Sequence, residues 1–78
     1  AHYDLLTGLP NRAHFVDRLR KLMARVAQTN EFLVLIYMDL DDFDVINDRF
    51  GQTIGNGILT TTASRLNLVL REHDMLAR

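Results

Sequence analysis

The pattern of apolar and polar side chains along the 78 residues predicts three helices, with one strand between the first helix and the second. Apolar residues recur at helical spacing over about residues 12–27, which predicts an amphipathic helix with one buried face. A short second helix is expected to begin after Asp41 or Asp42, either of which would cap it, and to end at Phe50 before Gly51. The third helix is expected from Gly55 to about Arg71, on the stripe Ile58, Leu59, Thr62, Ala63, Leu66, Val69 and Leu70.

The segment between the first two helices consists of seven consecutive apolar residues, Phe32–Met38. A continuous apolar run of this length, without alternation, predicts a central strand covered on both faces. The fold class is therefore expected to be α/β. A single strand leaves both of its edges unpaired, so its partner strands are expected in further sequence or in another copy of the chain.

Composition excludes several classes of function. The formal net charge of −1 provides no electrostatic attraction for nucleic acid or for an anionic membrane surface. Cysteine is absent, which excludes disulfides and thiolate metal sites. The apolar run of seven residues is too short to cross a bilayer, so no direct membrane contact is expected.

The candidate chemistry lies directly after the predicted strand, where four carboxylates occur within six residues: Asp39, Asp41, Asp42 and Asp44. Ligands of α/β proteins bind at the carboxyl ends of strands. Closely spaced carboxylates repel one another unless a cation lies between them, which favours a Mg²⁺ site beside a substrate phosphate. The alternative is that one acid caps the following helix while the others face water.

Three segments in the same order resemble the GGDEF domains of diguanylate cyclases: DLLTGLPNR at 4–12, DLDDFDVINDRFGQTIG at 39–55 and REHDMLAR at 71–78. The resemblance covers essentially the whole chain. It implies an α+β, nucleotide-cyclase-like fold in which helices flank a ferredoxin-like sheet. Residues 1–78 would be the N-terminal half of this domain, with the first helix, the central strand and the two following helices, and the GGDEF hairpin would follow Arg78.

The activity implied by the resemblance is synthesis of cyclic di-GMP from two GTP molecules, in bacterial second-messenger signalling. Each domain would hold one GTP and two domains would meet face to face, so a homodimer or a domain-swapped oligomer is expected. The location would be cytoplasmic, within a multidomain or membrane-anchored signalling protein. The 78 residues alone are expected to be inactive because the second carboxylate ligand of the metal belongs to the hairpin, and no catalytic residue is assigned.

The same resemblance implies roles for individual residues. Asp39 would bind Mg²⁺ with its carboxylate, and Leu40 would bind it with its main-chain carbonyl. Asn47 would recognise guanine, because its amide supplies both a donor and an acceptor. The residues expected to contact GTP are Phe43, Asp44, Asn47 and Asn56. Arg71 and Asp74 would form a product-inhibition site that binds a guanine of cyclic di-GMP, although both also suit the end of a helix.

Three positions depart from the family pattern and keep a second hypothesis open. Asp44 replaces the usual lysine, Gln52 the usual histidine and Asn56 the usual aspartate. A carboxylate close to a triphosphate opposes binding, which favours a degenerate GGDEF module that binds GTP or mediates regulation and dimerisation without catalysis.

A remote third hypothesis is a phosphatase of the haloacid dehalogenase type, since Asp39-Leu40-Asp41 resembles its strand-end motif. No role is assigned to the histidines His2, His14 and His73, which are expected at the surface.

Overall fold

The computed structural model describes residues 2–78 and contains three helices, α1 (Arg12–Val26), α2 (Phe43–Phe50) and α3 (Gln52–Val69). Helices α2 and α3 pack against each other. The part of the chain that the structure describes contains no paired strand beyond an isolated antiparallel bridge between Tyr3 and Pro10. The three predicted helices are therefore confirmed, apart from the start of the third, and the sheet is not.

Helix α1 forms where the sequence predicts it and ends one residue earlier. Asn11 caps its N-terminus, where its side-chain oxygen accepts a hydrogen bond from the backbone N–H of His14 at 3.0 Å. Arg25 lies in the last turn, where a cation interacts favourably with the helix dipole. The predicted apolar face is half-buried except at Met23: Phe15, Leu19, Leu22 and Val26.

Helices α2 and α3 are separated by a single residue, Gly51. It has φ +89°, a conformation that favours glycine, and its N–H donates to the carbonyl of Asn47 at 2.9 Å. The predicted start of the third helix at Gly55 is wrong, because α3 begins at Gln52 directly after this turn. Asp42 precedes α2 as expected but makes no side-chain capping bond, since its own φ is +58°.

Residues 31–40 form neither a helix nor a strand, so the predicted central strand is not observed. Its apolar side chains are exposed, from 38% at Leu33 to 95% at Tyr37, so the prediction that both faces are covered is wrong for this structure. A strand is stabilised by ladder hydrogen bonds to neighbouring strands, and residues 2–78 provide no partner. Sheet formation at this segment stays a prediction.

The N-terminal turn is organised by the carboxylate of Asp4. This group accepts hydrogen bonds from the backbone N–H of Thr7 at 2.9 Å and from its hydroxyl at 2.7 Å. The guanidinium of Arg78 lies 3.0 Å from the same carboxylate, and the Arg78 N–H donates to the carbonyl of Pro10 at 2.9 Å. The Thr7 hydroxyl and N–H, followed by Arg78, hold the pKa of Asp4 below its usual 3.8, against partial burial that raises it.

We expect Asp4→Asn to lower the thermal stability of the full-length protein at neutral pH and to lower it progressively less as the pH falls below about 4. Because the folded-state pKa of Asp4 lies below its unfolded value, its stabilisation is present above about pH 4 and is lost as the pH falls through the folded pKa. The neutral-pH effect should be about 1–2 kcal/mol, toward the lower end of the ~1.5–3 kcal/mol for a hydrogen bond to a charged group, because the Arg78 partner is partly exposed. Thermal unfolding followed by circular dichroism across pH measures both effects.

The matched control is Asp17→Asn. Asp17 pairs with Lys21 on the surface of α1 with both side chains mostly exposed, so its loss should cost under about 0.5 kcal/mol. If the two variants lose equal stability at every pH, the role assigned to Asp4 is wrong.

The chain buries little apolar surface by itself. Among residues 2–78 the buried apolar residues are Leu9 and Ala63. The radius of gyration is 15.0 Å, whereas a compact chain of this length would have about 11.5 Å. Such a molecule presents apolar surface to other copies of itself.

We therefore expect the isolated 78-residue chain to self-associate as its concentration rises, which light scattering measures. Replacing Val34 and Ile36 together by lysine should reduce association, because charges on an exposed apolar segment oppose pairing between chains. Leu5→Lys is the control, since Leu5 is fully exposed in the N-terminal turn, outside this segment. A monomer that persists at high concentration would contradict the expectation.

Candidate functional site

The site with the most distinctive geometry lies where α2 meets α3. Asn47, in the middle of α2, has its side-chain oxygen buried, and this oxygen has no hydrogen-bond partner. It lies against Gly55 of α3 so closely that a Cβ at position 55 would overlap it. The ring of Phe43 is 3.3 Å from the same Cβ position. The structure thus brings together Phe43 and Asn47, two residues predicted to contact GTP, and adds Gly55.

An unpartnered buried acceptor is uncommon in folded proteins and calls for an explanation. Asn47 is the residue predicted to recognise guanine, and its amide group lies against Gly55. Asn56 is the next residue along α3 after Gly55 and is half-buried. Burial of this oxygen without a partner costs free energy, which a hydrogen bond from a ligand would recover.

The predicted metal ligands lie at the entrance to α2. Asp39 is exposed and Leu40 is half-buried, both in the segment that precedes the helix. Carboxylate and carbonyl oxygens are the donors that Mg²⁺ prefers, so this pair fits the ion chemically. Within residues 2–78 no group of three metal-binding side chains comes together. Phosphate oxygens, water or further protein ligands would have to complete the coordination.

The position of Asp44 suits a carboxylate because it favours the helix. It lies in the first turn of α2, where a carboxylate is stabilised by the positive end of the helix dipole. The side chain is exposed and forms no ion pair among the described residues. Its charge is therefore uncompensated by any cation at the place where the resemblance puts a phosphate.

Arg71 and Asp74 are close together, but not as a pair of side chains. The carboxylate of Asp74 accepts a hydrogen bond from the backbone N–H of Arg71 at 2.9 Å, and the Asp74 N–H donates to the Arg71 carbonyl at 3.1 Å. These bonds close the turn that follows α3. Both residues are exposed, so the Arg71 guanidinium remains accessible.

Sequence patterns did not identify two features of the structure. His14 contacts two aromatic rings, with ring centroids 5.3 Å from Tyr3 and 5.9 Å from His2, so two of the histidines belong to a cluster. The ion pair of Asp4 and Arg78 joins residues 74 positions apart. The Asp4-to-Thr7 spacing is the available signal for the turn, since aspartate commonly accepts from a backbone N–H nearby.

Two shallow grooves lie elsewhere. One runs along α3, and the other separates α1 from residues 31–35. Neither is lined by Asp39, Asn47 or Asn56. No helix within residues 2–78 is long and apolar enough to span a membrane.

The chain matches a known protein family over its whole length. The model of the diguanylate cyclase GGDEF domain matches residues 1–78. The chain belongs to the GGDEF family. It is 42% identical over 78 residues to the diguanylate cyclase TpbB of Pseudomonas aeruginosa, of which it spans 18%. The family match removes the phosphatase alternative.

Solved GGDEF structures have the same arrangement of backbone. A structure of TpbB from P. aeruginosa that comprises only the GGDEF domain superposes with a TM-score of 0.94 at 42% identity, covering 99% of this chain and 45% of that one. A sensory box/GGDEF family protein from Caulobacter crescentus has a TM-score of 0.90 at 37% identity, covering 96% and 48% respectively. The chain therefore has the cyclase-like fold of GGDEF domains over the part that it spans. Diguanylate cyclases of this family are generally metal-dependent.

Proposed function

We propose that residues 1–78 form the N-terminal half of a GGDEF domain that binds GTP and takes part in the synthesis of cyclic di-GMP. The family match over the whole chain and the 42% identity to a diguanylate cyclase support this activity. The α/β sheet of that domain would use residues 32–38 as its central strand, which accounts for their exposed apolar side chains. The 78 residues alone would lack activity, because they bring only one predicted carboxylate ligand to the metal.

The observation that carries the proposal is the buried, unpartnered amide oxygen of Asn47. Guanine has an amino group and a ring N–H that donate hydrogen bonds, so it can satisfy this acceptor. Adenine presents a different order of donors and acceptors. Asn47 would therefore select guanine, with Asn56 providing a second amide and the ring of Phe43 lying beside Gly55.

The metal would be Mg²⁺, held by the carboxylate of Asp39 and the main-chain carbonyl of Leu40. Both donors are oxygens, and the exposure of Asp39 leaves it accessible to an ion from solvent. When bound, the ion supplies positive charge that offsets the charge of the phosphates. The protein residues would orient the nucleotide: the start of α2 below the phosphates and Asn47 at the base.

Asp44 supports a second candidate function, a regulatory GGDEF module that binds GTP weakly or serves in dimerisation without catalysis. Its exposed carboxylate has no partner cation among the described residues and would repel a triphosphate at the N-terminus of α2. Under either function the chain would lie in the cytoplasm, where GTP is available. It would act there as a homodimer or a domain-swapped oligomer.

Arg71 and Asp74 would bind the product. The accessible guanidinium of Arg71 suits the O6 and N7 atoms of guanine, and the Asp74 oxygen that does not bond the backbone is free to accept from the base. The turn that the two residues share would hold them in register for a ligand.

We expect ATP to bind weakly to the full-length protein, and we expect Asn47→Ala to weaken GTP binding while it leaves ATP binding unchanged. Loss of a hydrogen bond to the base leaves its partner atoms unpaired, which costs about 1–3 kcal/mol. The corresponding loss of affinity is about five- to hundredfold, measured by calorimetry with Mg²⁺ present. Asn67→Ala is the control, since Asn67 is an exposed asparagine in the last turns of α3. Equal binding of GTP and ATP by the unaltered protein would exclude recognition of guanine by Asn47.

We expect Asp44→Lys to strengthen the binding of GTP more than that of GDP, because it replaces a negative charge near the phosphates with a positive one. For an exposed site the gain should be about 0.5–1 kcal/mol, or two- to fivefold. Asp48→Lys makes the same charge change near the C-terminal end of α2 and should have less effect. Identical gains from both variants would indicate a general charge effect and would contradict a phosphate site at Asp44.

A further inference from the structure

Gly55 is a buried residue inside α3, at a position where glycine is a poor choice for helix formation. Its backbone does not require glycine, since the positive φ values among the glycines belong to Gly8 and Gly51. The space around it does, because a Cβ at position 55 would overlap the side-chain oxygen of Asn47 and lie 3.3 Å from the ring of Phe43. The absence of a side chain at 55 creates the space that the Asn47 amide occupies.

We propose that Gly55 is a positioning residue for base recognition, which fixes the orientation of the Asn47 amide and thereby the preference for guanine over adenine. This inference rests on the proposed role of Asn47 in GTP binding. Gly55 need not touch the nucleotide. It acts through Asn47, and its contribution is the close approach of α3 to α2.

The contact with Gly55 determines the orientation of the Asn47 amide, because no hydrogen bond holds its oxygen. The amide oxygen of Asn47 has no hydrogen-bond partner, so packing alone sets its direction. A methyl group at position 55 would leave two outcomes. Either the Asn47 side chain turns to another rotamer, or α3 moves away from α2. Both outcomes displace the donor and acceptor that would face the base.

The chain provides a matched control for this test. Gly57 lies two residues further along α3, and a Cβ there would meet nothing within 4 Å. Both glycine-to-alanine changes raise helix propensity equally, so a difference between them reports the contact with Asn47. Gly57→Ala should raise the melting temperature of the full-length protein and leave the ratio of GTP to ATP affinity unchanged.

For Gly55→Ala we expect a loss of GTP affinity of about tenfold and a fall in the GTP-to-ATP ratio, measured by calorimetry. Truncating Asn47 should remove the overlap, so Asn47→Ala combined with Gly55→Ala should melt at a higher temperature than Gly55→Ala alone. The double variant should bind GTP no more weakly than Asn47→Ala, since both changes disable the same group.

The outcomes separate this inference from the proposed function. If Asn47→Ala weakens GTP binding but Gly55→Ala keeps full affinity and selectivity, Gly55 is not a positioning residue. If Asn47→Ala has no effect on GTP binding, the proposed base recognition is wrong, and the role of Gly55 in selectivity is wrong with it. Should Gly55→Ala fail to fold, rescue of folding by Asn47→Ala supports the contact and absence of rescue overturns it.

Discussion

The contact between α2 and α3 is the constraint on which the candidate site depends. One residue, Gly51, reverses the chain between the two helices, and its positive φ lets α3 begin at once. The helices are then close enough that Asn47 fits only because position 55 carries no side chain. Tight packing of this kind fixes a polar group without hydrogen bonds, which leaves its bonding capacity for a ligand.

A second set of contacts holds the N-terminal turn to the end of the chain. Asp4 has two donors from Thr7 and the guanidinium of Arg78, while the Arg78 backbone bonds Pro10. Arg78 therefore has a fixed backbone as well as a paired side chain. In the GGDEF resemblance the hairpin that names the family would follow this residue. The turn at Asp4 would then set the point from which that hairpin starts.

The sequence predicted the helices well because their signals are local. The periodic apolar face predicts α1, and Gly51 marks the end of α2. The prediction for α3 was wrong because Gly55 and Gly57 look like a helix start, whereas Gly55 lies inside the helix in close contact with α2. The strand at 32–38 was not formed because pairing depends on partners distant in sequence. The pair of Asp4 and Arg78, 74 positions apart, has no local signal at all.

The orientation of the Asn47 side chain could not be predicted from the sequence either, because an apolar pattern places a residue on a helix without orienting its amide.

Asp44 presents a conflict between the stability of α2 and the binding of a nucleotide. At the first turn of α2 a carboxylate stabilises the helix, yet the same position would lie near the proposed phosphate site, where a cation would bind better. Stability of α2 and affinity for a triphosphate therefore make opposite demands on one side chain. An aspartate at position 44 therefore stabilises α2 at the expense of affinity for a triphosphate. A regulator that only binds GTP would tolerate this loss of affinity better than an enzyme that must hold the phosphates in place for reaction.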